Sequence, residues 1–275
     1  MNRNTVAAAL AVWALASAGC ARGRRESAVK IDSLQLAMFA PLPPAIVRPD
    51  RPITQARIEL GRMLFFDTRL SLARDLSCNS CHRLDAYGAD TGAVSRGHRG
   101  RLGTRNSPTV YNAAGHVAQF WDGRAPDVEA QAKGPILNPA EMAMPGPGAV
   151  MARLAAVPAY RNAFLAAFPG QRNPMTYDNL GVAIGAFERQ LATPSRWDRF
   201  LRGEDTILTD AEREGFNTFV AVGCAGCHAG TYVGGAMFQK AGVVHSWPDS
   251  SDVGRMRVTQ RPEDRFVFKV PSLRN

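Results

Sequence analysis

Four of the five cysteines in this 275-residue chain fall into two identical frames, Cys78-Asn79-Ser80-Cys81-His82 and Cys224-Ala225-Gly226-Cys227-His228. Thiols three positions apart lie on one face of a helical turn. Each pair can therefore bond two vinyl groups of one porphyrin, and the histidine that follows can give the iron its proximal nitrogen. Other chemistries use the same residue types. Zinc needs four donors, and a histidine adjacent to the second cysteine is poorly placed to complete that tetrahedron. A thioredoxin-like redox pair expects a βαβ context, whereas the flanks here read as helical. Structural disulfides leave the shared histidines unexplained. The pattern predicts two covalently bound haem c groups.

A single haem shuttles one electron at a time, whereas reducing a peroxide O–O bond takes two. A second haem in the same chain can store the extra equivalent. One iron then needs a sixth position that is open or can open. The other needs a firm ligand set, and a methionine beside histidine raises its potential.

The elements that must position these groups read as mainly α, two cytochrome c-like haem domains with long loops. Residues 54–66 predict a helix capped by Thr54, with Ile58, Gly61, Leu64 and Phe65 on one face. Residues 177–191 carry the stripe Leu180, Ile184, Phe187, Leu191, which reads as core. Thr209 and Glu212 form a capping box that opens a helix carrying Phe216 and Phe219 into the second haem site. Glu59-Leu60-Gly61 with Phe65 before the first site is echoed by Glu214-Gly215 with Phe219 before the second. No stretch alternates convincingly as a strand. The domains are expected at 28–195 and 196–275.

Hydrophobic residues make up 45% of the chain, which excludes a disordered tail protein. Lys and Arg number 33 against 24 acids, a formal charge of +9 that favours acidic partners without naming one. Residues 1–20 read as an export signal: Arg3, an apolar run from Val6 to Ala18, and Ala16-Ser17-Ala18 before a cleavage point. Cys20 after Gly19 partly matches a lipobox, so a lipid anchor through Cys20 stands beside soluble release. Either route places the mature protein in a bacterial periplasm and argues against a nucleic-acid partner.

With these motifs in order the chain resembles the bacterial dihaem cytochrome c peroxidase family. The likeness covers roughly residues 50–275. It rests on Ile58 to Phe66, the first attachment frame, Ser95-x-Gly97-His98 and Arg105-Asn106-Ser107-Pro108-Thr109-Val110-Tyr111-Asn112. Phe120-Trp121-Asp122-Gly123-Arg124-Ala125, Gln131-Ala132-x-Gly134-Pro135, Asn138-Pro139-x-Glu141-Met142, the second frame and Phe268 to Asn275 complete the set.

The resemblance implies a role for each matching position. His82 would be the proximal ligand of an N-terminal, peroxidatic haem, and His228 that of a C-terminal, electron-accepting haem. His98 would be the distal ligand at rest and leave on reductive activation. Gly97 and Gly100 on either side give its backbone the freedom to move. Trp121 matches a tryptophan between the haems, on the electron path. Glu141 matches an acid/base that takes a proton from one peroxide oxygen and returns it to the other. Gln131 matches a distal-pocket amide, and Asn106 the side-chain ligand of a calcium ion between the domains. His116 and His245 match no ligand, and Trp197 and Trp247 read as packing. The partners implied are hydrogen peroxide, a small cytochrome c or cupredoxin donor, and a second copy in a homodimer.

The family continues past the motif that holds Asn275, with further calcium ligands and the distal methionine of the second haem. The C-terminal domain is therefore expected to be truncated. Met237 and Met256 are the nearby sulfurs. A sister group carries tyrosine in place of that methionine and matures the tryptophan tryptophylquinone of methylamine dehydrogenase. His98 favours the peroxidase over that alternative. Glu141 and Gln131 argue against a dihaem electron carrier without catalysis.

Overall fold

The computed structural model describes residues 28–50 and 52–275. The export-signal reading at 1–20 and the lipidation of Cys20 lie outside those residues. Ten helices follow in chain order: α1 (Ser33–Leu36), α2 (Gln55–Phe65), α3 (Cys78–Cys81), α4 (Val128–Leu137), α5 (Pro147–Ala155), α6 (Pro158–Ala167), α7 (Tyr177–Glu188), α8 (Arg196–Leu201), α9 (Asp210–Ala221) and α10 (Met256–Thr259). Long irregular segments and short 3₁₀ turns join them, so the chain is mainly helical. Among the described residues no helix is long and apolar enough to cross a membrane.

The core forms where α2, α4 and α6 meet α7 and α5. Thr54 caps α2 by accepting the Arg57 N–H, as the sequence predicts. Leu60, Gly61, Leu64 and Phe65 are the residues α2 buries, while Ile58 is only half-buried at its edge. On α7, Leu180, Ile184 and Phe187 are buried as expected, and Leu191 follows beyond the helix end, half-buried against the same cluster. Gly61 is the contact point of the crossing. A Cβ there would sit 1.9 Å from the Ala183 carbonyl oxygen, so only glycine permits this approach. Gly181 and Gly185 likewise admit Glu129 of α4, whose carboxylate forms two 2.9 Å bonds with Arg189. Both partners of that pair are almost wholly buried.

Two features differ from expectation. Phe238–Lys240 (β1) and Val267–Lys269 (β2) form a short antiparallel ladder. Three residues are too few for alternation to register in sequence. The segment before α2, grouped by sequence with the first half, packs on the second. Phe39 meets the rings of Trp197 and Phe216, Leu42 N–H donates to Asp198, and the Met38 carbonyl accepts from Gly230 N–H. α9 ends at Ala221, Gly223 follows at φ +85°, and the second cysteine frame begins at Cys224. Phe216 meets the rings of Phe39 and Trp197, and with Phe219 these residues line a cavity of about 390 Å³.

Candidate haem cavity and its surroundings

The first cysteine frame is built by a single turn. Ser77 and Ser80 cap one another across the start of α3. Cys78 and Cys81 then fall three apart on one face, and the His82 N–H closes the turn on the Cys78 carbonyl at 2.9 Å. The second frame makes the same closure, His228 N–H to the Cys224 carbonyl at 3.0 Å. All four thiols are free rather than paired as disulfides.

The His82 ring is oriented by its inner nitrogen. Nδ1 lies 3.1 Å from the Pro108 carbonyl, which can only accept, so the proton sits on Nδ1 and Nε2 is left as a lone-pair donor. Metal-ligating histidines are set by this kind of outer bond. Burial lowers the affinity of His82 for a second proton, against hydrogen bonds to Gly88 and Pro108, which keeps the imidazole neutral. Burial also pushes the Cys78 thiol up to about 12, with the Glu188 carboxyl adding to it.

Cys78, Cys81 and His82 line a cavity of about 670 Å³, within the range of small-molecule and cofactor sites. Trp121, Gln131, Glu141 and Asn106 line it as well, so the structure brings seven of the predicted site residues to one space. His98 is buried beside it through its neighbours Ser95 and Gly97, which are part of the wall. The His98 Nδ1 is buried without a hydrogen-bond partner. A cavity of this size with two thiols and a neutral imidazole on one wall fits a covalently held porphyrin. At the second frame, His228 Nδ1 is also buried and unpartnered. Gly234, at φ +120°, lies beside that imidazole: a Cβ there would sit 2.2 Å from the Pro271 carbonyl oxygen and 3.1 Å from His228 Nδ1. These donors fit the same group. Among the described residues no three His, Cys, Asp or Glu side chains converge as a bare metal ion would need.

Glu141 sits on the loop between α4 and α5. Its Oε1 accepts a 2.6 Å bond from Asn138 Nδ2. Burial raises its pKa above the ordinary carboxylate range, against the opposing effects of Asn138 and Arg124. This loop is locked to the His98 loop. The His98 N–H donates to the Glu141 carbonyl at 2.7 Å, and a Cβ on Gly97 would lie 2.0 Å from the Ala140 oxygen. Arg99 and Gly100 both have positive φ, 55° and 73°. The tight backbone around His98 thus has a packing reason as well as the freedom read from sequence.

Trp121 occupies a turn in which Phe120 and Gly123 both have positive φ. Its indole N–H donates to the Asn106 carbonyl at 2.9 Å. The Asn106 side-chain nitrogen donates to the Gly92 carbonyl at 2.8 Å. Lys269, almost fully buried, reaches His116 Nδ1 at 3.2 Å. Trp197 stacks on Phe200 and meets Phe216 at a tilt, and Trp247 packs tilted against Phe268.

A family model described as di-haem cytochrome c peroxidase matches residues 55–206. The chain is 43% identical over 246 residues to the cytochrome c551 peroxidase of Pseudomonas aeruginosa, covering 87% of this chain and 70% of that protein. The chain belongs to the dihaem cytochrome c peroxidase family. The cytochrome c551 peroxidase of Nitrosomonas europaea is also 43% identical, over 92% of this chain and 78% of its own length. Among solved structures, a MauG-like protein associated with microbial copper homeostasis superposes with a TM-score of 0.76 at 30% identity, covering 85% of this chain and 73% of that one. Membership of the dihaem peroxidase family implies two haem c groups, in keeping with the two attachment frames.

Three residues of the dihaem peroxidase cavity were not foreseen. Glu188 is 4% exposed, lines the cavity, and has a pKa raised to about 8 by burial and by the Glu129 charge, against Arg189. Acids inside the apolar run of α7 were its only sequence signal. Asn138 orients Glu141, and its place three residues before that acid could have pointed to it. Arg105 and Asp122 were read only as parts of family strings, and Asp252, the other partner of Arg105, was not read at all.

Proposed function

We propose that this chain is a periplasmic peroxidase that reduces hydrogen peroxide to water, H2O2 + 2e⁻ + 2H⁺ → 2H2O. Electrons come singly from a small cytochrome c or cupredoxin. Cys78, Cys81 and His82 would hold the N-terminal haem, and Cys224, Cys227 and His228 the C-terminal one. The two haems, when bound, supply the one-electron carriers and the iron at which the O–O bond is cleaved. His98 would occupy the distal position at rest and free it on activation. Gln131 would orient the peroxide by a hydrogen bond, and Trp121 would lie on the path between the halves. Asn106 would offer its amide oxygen to a calcium ion. The division at residues 195 and 196 follows the two haem sites, with 28–42 lying on the second half. The periplasmic assignment rests on residues 1–20.

Glu141 carries this reading. Its carboxyl faces the cavity that holds the first cysteine pair and is oriented by Asn138. Burial keeps its pKa nearer to working pH than an exposed carboxylate's, as a group that both accepts and returns a proton requires. An electron carrier has no use for such a group. Glu141→Gln should lower peroxide turnover by about 100-fold or more, within the range of acid–base catalysis, while electron uptake without peroxide stays near that of the parent. Equal losses in both would remove the acid/base role.

A further inference from the structure

We propose that Arg105 is a positioning residue that fixes Trp121 between the two halves and so sets how fast electrons pass between the haem sites. This rests on Trp121 lying on that path. All three guanidinium nitrogens of Arg105 are engaged. Nε and Nη2 fork onto Asp252 at 2.7 and 2.6 Å, and Nη1 reaches Asp122 at 2.8 Å. The Arg105 side chain is 17% exposed, Asp252 16% and Asp122 3%, so the cluster is shielded from the screening that weakens surface pairs.

Both neighbours of this cluster hold Trp121. Asp122 follows it in the chain. Asn106, next to Arg105, takes the indole N–H on its carbonyl. The second half grips the same turn from the other side. Lys269 N–H donates to the Trp121 carbonyl at 2.8 Å, and Arg255 donates to the Asp122 carbonyl at 3.1 Å. The Phe238 ring leaves no room for a side chain on Gly123. Arg105 is the side chain that joins these grips, bonding at once to the Trp121 turn and to Asp252 of the second half. A lysine keeps the charge but cannot reproduce a fork and a third in-plane bond together.

The test uses the two-haem protein and the variants R105K, D252N and W121F. Electron passage between the haems is followed optically after rapid reduction of one of them. Hydrogen exchange over residues 119–125 reports the turn itself. In R105K, passage should slow by about tenfold and exchange should rise; a full 1 Å misplacement can cost about 100-fold, and R105K keeps the charge and so displaces Trp121 by less. D252N retains the Arg105 bond to Asp122 and should slow passage less. R105K/D252N should be no slower than R105K, since the two act as one unit. If R105K lowers thermal stability but leaves passage within about twofold, Arg105 is merely structural and the proposal fails. Should R105K not take up both haems, D252N decides: unchanged passage there overturns the proposal. W121F separates the two readings, because unchanged passage in that variant refutes the path through Trp121 itself.

Discussion

Burial and one hydrogen bond pull the acid in the cavity in opposite directions. Asn138 Nδ2 donates to Glu141 Oε1 and so favours the charged carboxylate, while burial favours the neutral acid and prevails. Removing the amide removes the larger of the two influences, the other being Arg124, that hold the pKa down. Asn138→Leu should therefore move the acid limb of the pH–rate profile upward. Activity should fall most below neutrality, where the variant's Glu141 stays protonated and cannot take the first proton, and should recover as pH rises. A loss that is uniform across pH would mean that Asn138 only shapes the loop. The same logic applies to His82, where one carbonyl on Nδ1 decides which nitrogen is presented to the cavity. In both cases the residue that lines the cavity was named from sequence, and the contact that orients it was not. Asn138 and Pro108 act through distances that no spacing rule encodes.

At the scale of elements, the site depends on helices brought unusually close. Gly61 lets α2 lie against the backbone of α7, and α7 carries Glu188 to the cavity wall. Gly61→Ala should cost about 3 kcal/mol, the upper end of ordinary overpacking, because the collision is with backbone rather than a side chain that can rotate. Denaturant unfolding of the two-haem protein would measure it, and a loss below about 0.5 kcal/mol, typical of a surface change, would show that the crossing can relax. Helical periodicity was enough to identify α2, α7 and α9, with the caps at Thr54 and Thr209 where the side-chain pattern puts them. The β1–β2 ladder was not visible because its register is fixed by long-range pairing of Phe238 with Lys269. The position of residues 28–42 was hidden for the same reason. Phe39 and Leu42 are apolar residues whose partners, Trp197, Phe216 and α8, lie more than a hundred positions away in the chain. The cavity was legible through its cysteine frame and its family strings. Its polar supports were not.

Across the whole molecule, two buried acids oppose one another in their response to pH. Asp198 joins the segment before α2, the start of α8 and the last strand region through Leu42 N–H, Ser195 N–H and Arg274. Burial works to raise its pKa, but Arg274 and the two amides outweigh it and hold the carboxyl below the usual range. Its contribution is present above the ordinary aspartate pKa and is lost as pH falls through the depressed value. Glu188 has the opposite sign. Burial, then the Glu129 charge, raises its pKa from 4.5 to about 8, with Arg189 opposing. Below the ordinary value both folded and unfolded chains carry the proton, and Glu188 costs nothing. Between the two values the unfolded chain ionises while the folded one does not, so stability drains away and the loss is complete above the raised value. Glu188→Gln should match the parent near pH 4 and gain on it steadily as pH rises, by an amount on the order of a few kcal/mol once the shift is complete. Denaturant midpoints for both proteins at acid and alkaline pH would measure the gap. A difference that stays constant with pH would mean that Glu188 is ionised in the folded protein, with Arg189 rather than burial governing its charge.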